Sequence, residues 1–82
     1  MKLSLRGIGV WLVTLYLVEL GGQEIEPGWV VGEGWQAHVV AGEPAHIGSI
    51  RLGVTEVQLS GEEGTVKAIL PGLKRKALRA GG

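Results

Sequence analysis

Glycine recurs in this chain at intervals too short for long helices. Between Glu24 and Glu63 it stands at Gly28, Gly32, Gly34, Gly42, Gly48, Gly53 and Gly61. Each glycine inside a helix costs about 1 kcal/mol relative to alanine, because its backbone loses the most freedom on ordering. A helix across this interval would carry several such penalties. Short pleated strands between turns are the remaining option, and the same expectation extends to everything ahead of the last ten residues.

Residues Val10 to Leu20 read VWLVTLYLVEL. Valine, Trp11, Thr14 and Tyr16 favour a strand, since branched and aromatic side chains pack well on a pleated surface. Both alternation phases are apolar, with Trp11, Val13, Leu15 and Leu17 on one side and Val10, Leu12, Tyr16 and Val18 on the other. A strand apolar on both faces has to be covered on both. That need predicts a closed barrel or a self-associating sheet. Lys2 and Arg6 ahead of this run resemble a secretion signal, but no small-residue cleavage site follows. The run is also too short for a bilayer, which needs roughly 20 apolar residues.

Further strands are expected at Lys2 to Arg6, Trp29 to Val31, Trp35 to Val40, Ile47 to Leu52 and Thr65 to Leu70, with turns at Gly21-Gly22, Pro27-Gly28, Gly42-Glu43-Pro44 and Pro71-Gly72. Trp35 to Val40 is expected to form a hairpin with Ile47 to Leu52. A bulge at Gly53 would reset the phase between Ile50/Leu52 and Val57/Leu59. Leu73 to Arg79 reads as a short helix with a glycine stop. The expected fold is mainly β: a small antiparallel sheet or barrel-like domain of about six strands with a short C-terminal helical segment.

The 82 residues make one domain, 1–82. Cysteine is absent, so disulfides, thiolate metal sites and a cysteine nucleophile are excluded, and a cytoplasmic location is the default. Eight basic residues balance eight glutamates, so no net field draws the chain to nucleic acid or to an anionic membrane. Depletion of thermolabile residue types, with Glu, Lys and Arg as the charges, is a thermophile-like composition.

The stretch Ala45-His46-Ile47-Gly48-Ser49 places a histidine where a tight turn meets a strand, beside small residues that let a ligand or partner approach. His38 and His46 lie symmetrically about Gly42. In the expected hairpin they face each other, a spacing that could hold a transition metal with Glu33 or Glu43 as third ligand; ordinary hydrogen bonding at a sheet edge is the preferred account. Trp29 and Trp35, with Gly32 and Gly34 between them, offer an aromatic wall. The candidate ligand-binding residues are thus His46, Gly48, Trp35 and His38, with the cofactor unassigned. The serines sit in no nucleophile elbow, and the pairs Glu24/Glu26 and Glu62-Glu63 fall in polar turns. These patterns predict a non-enzyme. The expected partners are further copies of the chain or another protein.

The stretch from Val39 to Ile50, with its glycine turn and His46-Ile47-Gly48 run, resembles the core of the LpdD-like family. Leu70-Pro71-Gly72 resembles a later segment of the same family. That resemblance implies an accessory protein, chaperone-like for a decarboxylase or its prenylated flavin, with His46 and Gly48 as the carried-over positions. Gly81-Gly82 resembles the tail of ubiquitin-like sulfur carriers, whose terminal glycine carboxylate is adenylated and thiolated. Such carriers adopt a β-grasp with a central helix between hairpins, which the glycines from Gly28 to Gly61 argue against. The leading expectation is a non-catalytic accessory or binding subunit; the alternatives are a sulfur carrier acting through Gly82 and a structural oligomerisation module.

Overall fold

A computed structural model describes residues 1–79. Among them are seven strands and two helices: β1 (Lys2–Arg6), α1 (Val10–Glu19), β2 (Gln23–Glu26), β3 (Trp29–Gly32), β4 (Trp35–Ala41), β5 (Ala45–Ile47), β6 (Ile50–Leu52), β7 (Val54–Gly61) and α2 (Glu63–Arg79). Five strands form one sheet in the order β1-β7-β4-β3-β2, with every pairing antiparallel. The mainly β, antiparallel expectation holds. The sheet is open, with β1 and β2 at its edges.

The strand expected over Val10 to Leu20 is instead helix α1 over its first ten residues. Its two ends explain the difference. Gly9 is the N-cap in extended conformation, and its carbonyl accepts from the Val13 N–H at 3.1 Å. At the other end, the Gly21 N–H donates to the Val18 carbonyl and the Gly22 N–H to the Leu17 carbonyl, both at 3.0 Å. With Gly21 at φ +107°, this is a Schellman ending, in which a left-handed glycine satisfies the last carbonyls. Gly21-Gly22 is thus a helix stop rather than a strand turn. Between the caps, Val13 and Leu17 recur four residues apart and are fully buried, with Thr14 beside them. Thr14 donates its hydroxyl to the Val10 carbonyl at 2.9 Å, so even this residue is accommodated within the helix.

The strand expected at Thr65 to Leu70 and the turn at Pro71-Gly72 are also helix, because α2 begins at Glu63. The Glu62 carbonyl accepts from the Val66 N–H at 2.9 Å, and the Thr65 hydroxyl donates to the Glu62 carboxylate at 3.2 Å. Val66, Leu73 and Ala77 are buried, and Ile69 and Leu70 pack against the same core. This spacing is helical. Pro71 lacks the N–H that would bond Lys67, yet the helix continues through it. At Gly72 a side chain would meet Leu20 Cδ2 at 2.9 Å, so glycine there lets α2 cross the end of α1 closely.

The helices lie together on one face of the sheet. α1 packs on β2, β3 and β4, while α2 packs on β7 and on α1. The face beneath them carries Leu5, Val30, Trp35, Ala37, Val39, Val57 and Leu59, all buried. Leu17, Val13 and Leu73 close the core from the helix side. Alternate residues of the same strands point away from the helices.

Residues 41–53 depart from expectation in their pairing. β4 pairs with β3 and β7, not with Ile47 to Leu52. β5 and β6 instead pair with each other in a separate two-stranded hairpin. The Gly42 N–H donates to the Val54 carbonyl at 2.8 Å, so β4 and β7 stay joined where the hairpin leaves and returns. Gly53 is consequently no bulge. It links strands of two different sheets, which accounts for the change of phase on either side of it.

Candidate functional site on the open sheet face

The face opposite the helices is uncovered by any described element. Cross-strand partners share a face, so the registers place Trp29, His38, Gln58 and Lys2 in one row across β3, β4, β7 and β1. The neighbouring row is Val31, Gln36 and Ser60. Trp29 and His38 stack with ring centroids 4.0 Å apart and planes inclined by 14°. Trp29, Gln36, His38, Gln58 and Ser60 line a shallow cavity of about 160 Å³. It offers one aromatic edge, one imidazole, two carboxamides and a hydroxyl. Such a set can stack against a flat group and exchange hydrogen bonds with it.

The sequence-derived candidates are not gathered into one place. His38 sits in this cavity wall. His46 pairs with Arg51 in the exposed β5–β6 hairpin, so the two imidazoles do not face each other across a hairpin. Gly48 lies in that hairpin's turn at φ +62°, with open space where a side chain would stand. Trp35 is only 5% exposed and belongs to the core, on the face opposite Trp29. The expected Trp29–Trp35 wall therefore does not form. Register explains it: Trp29 lies opposite His38 and Trp35 opposite Gly32, on alternate phases of β4.

The glycines near Trp35 serve packing. A side chain on Gly32 would overlap the Trp35 indole, and one on Gly22 would approach its Cη2 to 2.7 Å. Gln36, Gln58 and Ser60 are not among the sequence-derived candidates. Their signal was available as the polar phase of two alternating strands, 36/38 in β4 and 56/58/60 in β7. Among the described residues no three histidine or glutamate side chains converge in a way that could hold a metal ion. No helix among them is long and apolar enough to cross a membrane.

In class, this is a small open-faced antiparallel sheet backed by two helices, with polar and aromatic groups on the bare side. The family model for archaeal MoaD-like protein matches residues 1–82, and the chain belongs to that family. No curated protein matches it. The match fits the resemblance seen in Gly81-Gly82 and lends none to the LpdD-like one. Gly81-Gly82 themselves lie outside the described residues.

Proposed function

We propose that the chain is a non-catalytic sulfur carrier of the MoaD-like class, loaded at the carboxylate of Gly82. The observation that carries this reading is the family match along residues 1–82. The Gly81-Gly82 pair is its chemical counterpart, since two residues without side chains can thread into a narrow activating site. Topology adds nothing to it, because α1 precedes the β2–β3–β4 meander instead of standing between hairpins. In the carrier reaction the Gly82 carboxylate attacks the α-phosphorus of ATP and releases pyrophosphate. A persulfide sulfur on the activating system then displaces AMP, and a thiol reductant frees the thiocarboxylate.

Intact-mass measurement tests this directly. The protein is incubated with a sulfur-carrier activating enzyme, ATP, a persulfide donor and a thiol. The expected result is gain of an adenylyl group, then exchange of one oxygen for sulfur, both lost when Gly82 is deleted. An unchanged mass refutes the reading.

The open face favours a second reading, a binding subunit that holds a flat polar group against Trp29 and His38. His38→Ala would then abolish binding while leaving the fold intact, whereas His46→Ala tests the exposed hairpin as the contact instead.

A further inference from the structure

Helix α1 is apolar on almost every side, and only part of it is covered. The sheet takes Val13, Thr14 and Leu17, while Leu12, Tyr16 and Leu20 pack partly into the core. Trp11, Leu15 and Val18 form a third stripe at spacings of four and three residues, and they are 73%, 44% and 38% exposed. A helix apolar all round is normally buried all round. The stripe overhangs the sheet edge at β2. Together Trp11, Thr14, Leu15, Val18 and Glu24 line a groove of about 320 Å³ between helix and edge strand.

β2 forms the floor of this groove, and its outward backbone edge has no partner strand among the described residues. Glu24 lies opposite Val30, which is buried under the helices, so position 24 belongs to the helix side of the sheet. A strand added beyond β2 would place its own helix-side residues beneath Trp11, Leu15 and Val18.

Charge selects the occupant. From Gly7 to Ile50 the chain contains five glutamates and no lysine or arginine. Glu24 lines the groove, Glu26 lies opposite Trp29 on the open face, and Ile25 between them is 62% exposed where the β2–β3 register shifts. Glu19, at the end of α1, is engaged by Lys76 at 3.2 Å. Two-fold pairing of β2 with β2 of a second copy would bring these glutamates against their equivalents. Acidic residues and a bulge on an edge strand are devices that discourage like-with-like pairing.

We propose that the α1–β2 groove is a docking site for an extended segment of a partner protein, apolar on one face and carrying lysine or arginine on the other. The segment adds to the sheet at β2, its apolar side chains filling the groove under Trp11, Leu15 and Val18 and its cations, on the open face, meeting Glu26. This is strand addition at a free edge, with backbone bonds giving affinity and the groove giving selectivity. It does not depend on Gly82.

A blocked hexapeptide alternating leucine and lysine serves as the probe, titrated into the full chain and followed by amide NMR shifts. Saturable shifts confined to α1 and β2, with slowed exchange of β2 amides, are expected. Leu15→Glu should weaken binding at least tenfold. Glu26→Lys should weaken it severalfold and admit the peptide in which glutamate replaces lysine. Both positions are exposed, and unchanged spectra elsewhere will verify folding. The inference is overturned by lack of saturable binding up to millimolar peptide, by shifts centred on Trp29 and His38, or by equal binding of the glutamate peptide to the unmodified chain. A dimer at micromolar concentration that Trp11→Ala returns to monomer also overturns it, by assigning the groove to a second copy.

Discussion

Replacing Gly32 by alanine isolates one contact in the core. A Cβ at this position would overlap three atoms of the Trp35 indole, Cε2, Nε1 and Cζ2. The indole is almost fully buried and has little room to move. Overpacking a close-packed core costs typically 1–3 kcal/mol. Against this, alanine narrows the unfolded ensemble and recovers about 0.4–1 kcal/mol where the backbone tolerates it. Gly32 is not among the glycines with positive φ, so that recovery applies. The expected net loss is about 1.5 kcal/mol. For a chain of this size, 4–8 °C per kcal/mol converts this to a fall in Tm of roughly 6–12 °C. The loss is large beside a total stability of about 4–12 kcal/mol, taken as 0.05–0.15 kcal/mol over 82 residues. A double-mutant cycle with Trp35→Leu, measured by urea unfolding, separates the two terms. In the leucine background the overlap is gone, and Gly32→Ala should become neutral or slightly stabilising, a coupling of about 2 kcal/mol. An equal penalty in both backgrounds would show that the indole is not what requires glycine at position 32.

Three further outcomes follow from the helix ends, the interior proline and the open face. Gly21→Ala, at φ +107°, should lower stability by about 1–2 kcal/mol in thermal unfolding, whereas Gly53→Ala, with open space and ordinary φ, should change it by less than about 0.5 kcal/mol; equal effects would refute the Schellman ending of α1. Pro71→Ala should raise stability by about 1 kcal/mol or more and create a slowly exchanging amide at position 71 bonded to the Lys67 carbonyl, and a loss of stability would mean the proline fits α2 better than a regular turn does. His38→Ala should shift the tryptophan emission and cost about 0.5–1.5 kcal/mol by removing the stack on Trp29, while His46→Ala should do neither.

Between residues 23 and 61, β3 and β4 were legible because their limits are local, whereas β2 and β7 were not expected and Ile47 to Leu52 read as one strand where β5 ends and β6 begins across a turn. Gly28, Gly34 and Gly42 interrupt the chain where they fall, and alternation in Trp35 to Val40 marks the phase that faces the core. The polar phase of that strand, with His38, became half of the candidate site. Trp29 entered it only through pairing, since nothing local distinguishes it from Trp35. His46 looked like a companion to His38 by symmetry about Gly42. The symmetry was irrelevant because residues 45–52 pair among themselves.

The sequence by itself determined that glycine-bounded pleated segments make up much of the middle of this chain, and that Val10 to Leu20 is apolar on more than one side. Glycine acts through the backbone of its own residue, and apolar surface seeks cover in either backbone form. Only the tertiary structure decided that this run is a helix, and that β7 lies between β1 and β4. Strand propensity over ten residues amounts to small terms of about 1 kcal/mol or less apiece, and burial of Val13 and Leu17 against β4 and α2 outweighs it. Pairing between strands fifty residues apart depends on which surfaces meet after collapse, and no local pattern encodes it.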